Sequence, residues 1–280
     1  MNPSIEFLKR HSLVVGIVLM FLLTWPIDLA NSGVLPFQVP FSIYIFLGYG
    51  FVIASLLMTG LTLGKGAVAA LLKRYLIWRV GWQWYLAALL LYPGISLAVV
   101  LLNAALTRTV IDFSGVFART IFGPAANLPL FVLPFLLFDA IANGEEIGWR
   151  GYVLPRLQKK YTALAASLIV GVIWGLWHLP KFLAPGNTSP FAWFMVRQIA
   201  DAVVYTWVYN NTKGSLLLVT LLHAASNTAG VFLPVYNTVS GSNPTVFLIE
   251  IGLVILAAVV VTVVAGPANL SRTAPRQAQT

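Results

Sequence analysis

The sequence predicts an all-α fold, a polytopic membrane bundle of about eight transmembrane helices with both N and C termini cytoplasmic. Three observations carry that expectation. The 280 residues are 59% hydrophobic and only 9% charged, with a mean hydropathy of +0.86, too apolar for a water-soluble domain. The apolar residues fall into runs of about 20, and in hydrocarbon such runs must be helices, because each backbone N–H and C=O has to be satisfied within its own element. The cations collect at alternate ends of those runs.

Eight runs qualify: Leu13–Leu29, Val39–Leu61, Tyr85–Leu106, Pro124–Ala142, Ala163–Leu183, Phe191–Tyr209, Ser215–Leu233 and Val246–Ala265. The first follows Lys9, Arg10 and His11 as a signal peptide would, but it is long and lacks a small-x-small cleavage site, so it reads as an anchor. The fourth is expected to continue as helix through "EEIGWRGYVLPRLQKK", despite Pro155, to a turn near Lys160 and Tyr161. The chain reads as a single membrane domain, 1–280, with its motif-bearing helices at about 124–233 and a short polar tail, 267–280, expected to be disordered.

A formal charge of +9 does not imply nucleic acid here, because in a membrane protein Lys and Arg report orientation first. Lys9, Arg10, Lys65, Lys73, Arg74, Arg79, Arg150, Arg156, Lys159, Lys160, Lys213, Arg272 and Arg276 fall at ends or turns that one side of an eight-helix bundle would share. Only Arg108, Arg119 and Lys181 fall on the other, and Arg197 lies within a helix. The absence of cysteine removes disulfide and thiol chemistry.

Ionisable groups inside the bilayer are expensive and hence functional candidates. Asp28 and Lys181 lie near predicted helix ends and are expected to reach water. Arg197 and Asp201, four apart, are expected to pair. Asp139 is read as bonding within the bundle, and Glu250 has no assigned role. There remain Glu145, Glu146, Arg150, His178, His223 and Asn227. Counted from the turn near Lys160, Glu145 and His178 each lie roughly 22 Å along their helices, at matching height. Counted from the turn at 211–214, His223 and Asn227 lie roughly 15 to 20 Å in. Three helices thus carry carboxylate, imidazole and amide to one layer, expected to be a wet chamber opening to the cytoplasmic side. Glu146 and Arg150, at i,i+4, can pair and leave Glu145 turned away by about 100°. Trp174 and His178 repeat that spacing, with the tryptophan read as packing whose indole N–H finds a nearby partner.

Glu with two His and Asn, without Cys or a Ser/His/Asp set, points to activation of water rather than covalent catalysis. Glu145 suits a general base, an imidazole can help hold the water, and His223 with Asn227 can donate to an oxyanion. Hydrolysis of an amide in or near the membrane is the reaction class suggested. A zinc ion is the competing account, since one Glu and two His leave a position open for water. There is no HExxH, however, and Asn227 would be a poor ligand, so the metal stays open at this level.

The motifs "EEIGWR" (Glu145, Glu146, Arg150), "WGLWH" (Trp174, His178) and "HAASN" (His223, Asn227), in that order and each on a helix, resemble those of the CPBP or Abi family. These are intramembrane proteases that include the type II CAAX prenyl endopeptidases and bacteriocin-processing relatives. The resemblance covers roughly Leu130 to Leu233. It implies an eight-helix endopeptidase in which Glu145 activates water, His178 shares that water, and His223 with Asn227 stabilises the oxyanion. Glu146 and Arg150 would be supporting residues. Trp174 departs from the commoner Phe, a change expected not to affect catalysis. The implied partner is a protein or peptide, lipidated in eukaryotic members, together with membrane lipid and no nucleic acid. The chain is compact and shows no retention signal, so the expected address is a prokaryotic cytoplasmic membrane rather than the endoplasmic reticulum. Two rivals use the same residues: a non-catalytic peptide-binding, immunity or transport protein, and a polar cluster that merely holds helices together.

Overall fold

A computed structural model describes residues 3–44, 47–187, 190–235 and 244–272. Among these residues the regular structure is helical throughout, with no strand. In chain order the helices are α1 (Pro3–Arg10), α2 (Ser12–Asn31), α3 (Phe41–Tyr44), α4 (Tyr49–Leu63), α5 (Lys65–Lys73), α6 (Trp82–Thr107), α7 (Phe117–Phe122) and α8 (Pro129–Ala142). After a π-helical segment, Ile147–Val153, come α9 (Leu154–Gln158), α10 (Ala163–Trp177), α11 (Leu179–Phe182), α12 (Phe191–Asn211), α13 (Leu216–Phe232) and α14 (Pro244–Ala265).

Each of the eight apolar runs carries helix, but among the described residues four helices, α2, α6 and α14 among them, are long and apolar enough to cross a membrane. α8, α10 and α13 have 14, 15 and 17 residues. At 1.5 Å per residue they fall short of a hydrocarbon core about 30 Å thick, and neighbouring segments must complete the path. Two of the shortenings occur at motif residues. α8 stops before Asn143–Gly144 instead of running on to Lys160, and α10 stops at Trp177 instead of Leu183.

α10 lies against α12, α12 against α14, α13 against α6 and α8, and α2 against α4, with the π-helical segment packed on α4. In lipid the apolar outer surface drives nothing, and association depends on close packing. α2 shows the division. Val14, Val18 and Leu22, at i,i+4 spacing, are half exposed or more and face lipid, while Met20 and Thr24 are fully buried. Gly171 lets α10 approach α12, since a Cβ there would lie 2.6 Å from the Ile199 Cα. The central core includes Met20, Phe51, Met58, Trp149, Tyr152 and Trp177, with Phe51 in ring contact with both tryptophans.

Two motif helices begin with side-chain caps. Thr162 accepts from the Ala165 amide at 3.2 Å, and Ser215 from the Leu218 amide at 3.2 Å. The orphan amides of α10 find further partners in the C-terminal segment: Ala163 N donates to Ala268 O and Leu164 N to Pro267 O. Asn210 and Asn211 donate to the Asn269 and Leu270 carbonyls, and Leu270 is fully buried. The stretch 267–272 is therefore docked, not disordered, because it supplies acceptors that α10 lacks. The remainder of the expected tail, 273–280, lies outside the described residues.

Asp28 also departs from expectation. It is 1% exposed, and neither carboxylate oxygen has a hydrogen-bond partner among the described residues. α2 continues past it to Asn31 and α11 packs on α2, which closes the route to water. Lys181, on α11, is exposed as expected.

Candidate active site

The glutamate pair sits just past a break. At Asn143–Gly144 the backbone leaves the helical path, and the Asn143 side-chain oxygen accepts from the Glu145 amide at 3.0 Å. Two glycines make room for the crossing with the start of α4: a Cβ on Gly144 would lie 2.5 Å from Gly48 O, and one on Gly48 would lie 2.7 Å from Gly144 N. Beyond the pair the chain winds as the wider π-helix, a geometry often found at functional sites.

Glu146 and Arg150 pair as their i,i+4 spacing predicts. Their ion pair measures 3.0 Å, and both side chains are fully buried. The Arg150 guanidinium lies between two rings, 4.3 Å from the Trp174 centroid and 4.5 Å from that of Tyr205. Cation–π contact thus covers the faces of a charge that has one carboxylate partner. The same Glu146 Oε1 accepts from His223 Nδ1 at 2.8 Å, so arginine and imidazole converge on one oxygen.

Glu145 is half-buried and turned elsewhere. Its Oε2 accepts from Trp174 Nε1 at 2.7 Å and from Trp149 Nε1 at 3.3 Å. The Trp174 ring is the hub, with centroid separations of 6.2 Å to His178, 5.5 Å to His223 and 5.3 Å to Tyr205. His178 Nδ1 lies 2.9 Å from the Trp174 carbonyl. A carbonyl can only accept, so Nδ1 carries the hydrogen, and in the neutral ring Nε2 keeps its lone pair for another donor. Asn227 donates to the Asp139 carboxylate at 3.1 Å, which gives Asp139 a partner across helices.

A cavity of about 700 Å³ is lined by Asp139, Trp174, His178, His223, Ser226 and Asn227, among others. Both histidines and the amide therefore meet at one chamber. Glu145 does not line it, and reaches it through the Trp174 indole. Arg197, Asp201 and Glu250 line the same cavity. Arg197 stands 3.7 Å from Asp201 and 3.3 Å from Glu250, so the expected pair is a triad and Glu250 has a partner. Tyr92 donates to Asp201 at 2.6 Å. The roles of Trp149, Tyr92 and Tyr205 were missed by sequence reasoning. For Trp149 a signal existed, since it stands four residues after Glu145 on the same stretch.

Phe117, Lys181, Gly186, Asn187 and Val235, at the face of the bundle opposite the turns near Lys160 and Lys213, also line the cavity. Trp149, Arg150, Tyr152, Val153 and Leu154 are fully buried, so Arg150 does not belong to the basic face that the sequence suggests.

The donor set does not fit zinc. Among the described residues no three His, Cys, Asp or Glu side chains are grouped to hold a metal ion. Glu145 does not line the chamber that holds the two imidazoles, and its Oε2 accepts from two indoles.

Residues 125–229 match the family model for the type II CAAX prenyl endopeptidase Rce1-like proteins. Over this stretch the chain is similar to that family. The matched stretch runs from just before α8 almost to the end of α13 and contains every motif residue above. The CAAX prenyl protease 2 of Methanococcus maripaludis is 28% identical over 149 residues, which are 49% of this chain and 52% of that relative. The chain thus spans about half the length of the curated relative it matches.

The indole bond makes Trp174 more than a substitute for Phe. Trp174→Phe keeps a ring beside both histidines but removes the shorter of two donors to Glu145. A hydrogen bond to a charged group contributes about 1.5–3 kcal/mol, so a loss of about tenfold or more in kcat/KM is expected, with Tm little changed. Unchanged or faster turnover would show that this bond does not orient the carboxylate.

Proposed function

We propose that this CAAX-protease-like membrane protein is an intramembrane endopeptidase in which Glu145 takes a proton from water as it attacks a peptide carbonyl. His178, with Nδ1 held by the Trp174 carbonyl, presents Nε2 to the same water. His223, backed by Glu146, can carry a proton on Nε2 as well as on Nδ1, and Asn227 has a second amide hydrogen beyond the one given to Asp139. Together they stabilise the oxyanion of the tetrahedral intermediate. Glu146, Arg150 and Trp174 support the set. The donor geometry described above supports a route through side chains rather than a metal.

The observation that carries this reading is the meeting of three separately predicted motifs around the Trp174 ring. One observation favours the rival binding role: Glu145 does not line the chamber. A single experiment separates the two. Purified protein in detergent is given a dansylated peptide ending in a CAAX sequence, farnesylated or not, in water enriched in oxygen-18, with and without chelator. Hydrolysis places the heavy oxygen in the new carboxylate and persists with chelator. Binding of the peptide without any cleavage at stoichiometric enzyme supports the non-catalytic role.

A further inference from the structure

A second cavity, of about 1000 Å³, shares no lining residue with the chamber. Six cations line it: Lys9 and Arg10 at the end of α1, Arg74 just past α5, Arg156 in α9, and Lys159 with Lys160 directly after α9. His11 and Tyr161 join them, and among the described residues no Asp or Glu does. Lys and Arg at helix ends report orientation in any membrane protein, which accounts for Lys65, Lys73 and Arg79, all outside this cavity. Orientation does not account for three separate segments bringing like charges to one concavity lined by no carboxylate.

Two of the cations are held in place. The Arg156 guanidinium lies 3.6 Å from the Tyr152 ring centroid, and its Nη1 donates to Tyr152 O at 2.9 Å. Arg74 donates to the Tyr209 hydroxyl. Both are half-buried, and they stand close enough for their charges to repel. A guanidinium has five N–H donors, so each has more to give, and its planar fork matches phosphate oxygens. Thr59 lines the same cavity at 4% exposure, and its hydroxyl has no hydrogen-bond partner among the described residues. A buried hydroxyl in that position is costly until an oxygen meets it. The remaining wall is apolar and includes Leu13, Val14, Leu63 and Leu71. Val14 is 62% and Leu63 51% exposed, so this wall continues onto the surface that faces lipid.

We propose that this cavity binds an anionic phospholipid, with its phosphate at Arg74 and Arg156 and its acyl chains along the wall of Leu13, Val14 and Leu63. Lys9, Arg10 and Lys160 supply the surrounding positive field. Basic pockets between membrane helices take anionic headgroups in this way. A free phosphate would satisfy the guanidiniums but leave the apolar wall unused, and a zwitterionic lipid would add a cation to the six already there. The site is independent of the endopeptidase reading, because none of its residues lines the chamber.

Native mass spectrometry of the delipidated full chain in detergent counts bound lipids directly. At about 150 mM salt the Debye length is about 8 Å, so diffuse attraction to a basic surface is screened while a built site persists. The protein is titrated with dioleoyl phosphatidylglycerol, dioleoyl phosphatidylcholine and, as the free phosphate, glycerol 1-phosphate. One phosphatidylglycerol is expected to bind about tenfold more tightly than phosphatidylcholine, with little competition from glycerol 1-phosphate. Arg74→Gln with Arg156→Gln should abolish that preference. Lys65→Gln with Lys73→Gln removes the same charge from exposed residues outside the cavity and should leave the preference within about twofold. Lys9→Gln with Arg10→Gln, both exposed lining residues, should weaken phosphatidylglycerol about tenfold, and this pair carries the test if the first does not fold. Equal affinity for the two lipids, or equal losses inside and outside the cavity, would leave only a charged surface and overturn the proposal. Glycerol 1-phosphate competing as well as the lipid would assign the cavity to a free phosphate and overturn it too. Peptide hydrolysis is not the readout, so failure here leaves the endopeptidase reading untouched.

Discussion

Glu145→Gln is expected to lower peptide hydrolysis by about 10²- to 10⁴-fold, the range general base catalysis supplies, while leaving thermal stability close to that of the parent. The amide keeps an oxygen that can accept from Trp174 Nε1 and Trp149 Nε1, so both indole bonds have a partner in the variant. What is lost is the capacity to take a proton from water. A measurement of kcat/KM beside Tm in detergent separates the two effects. Turnover within a few-fold of the parent would remove Glu145 as the base. Equal loss of activity and stability would support the rival in which the polar cluster only holds helices together. The effect should fall on kcat rather than KM, because the proton moves only as the transition state is reached.

The chemistry of this site was readable from spacing because membrane burial makes each polar residue costly. Glu146 with Arg150, and Arg197 with Asp201, were expected as i,i+4 pairs and are found as such. The layer was also readable, since rise per residue fixes depth along any helix. What spacing could not supply was the path of the fourth run. Asn143–Gly144 is a turn signal that the apolar count ran through, and periodicity does not announce a π-helix. Glu250 waited for a partner 53 positions away in sequence, Arg197, brought close only by the packing of α14 on α12. The docking of 267–272 rests on backbone carbonyls, which carry no sequence signature.

Arg150→Met should cost more stability than any other single change in the site. Arg150 and Glu146 are fully buried, and removing one partner leaves a carboxylate whose remaining donor is His223. Breaking a buried pair from one side costs about 3–5 kcal/mol, whereas replacing both members by apolar or neutral groups of similar size is often close to neutral. For a chain of this size such a loss lowers Tm by roughly 10 °C. The guanidinium also gives up its contacts with the Trp174 and Tyr205 rings, which methionine replaces in part through its own sulfur–aromatic contacts. Glu146→Gln with Arg150→Met removes both charges, so Tm should recover by more than half of what Arg150→Met loses. Hydrolysis should not recover with it, because His223 then faces a neutral amide and loses the carboxylate that supports a proton on its far nitrogen. Recovery of both stability and turnover in the double variant would mean that Glu146 only balances Arg150. Recovery of neither would place the damage in the packing of the two rings.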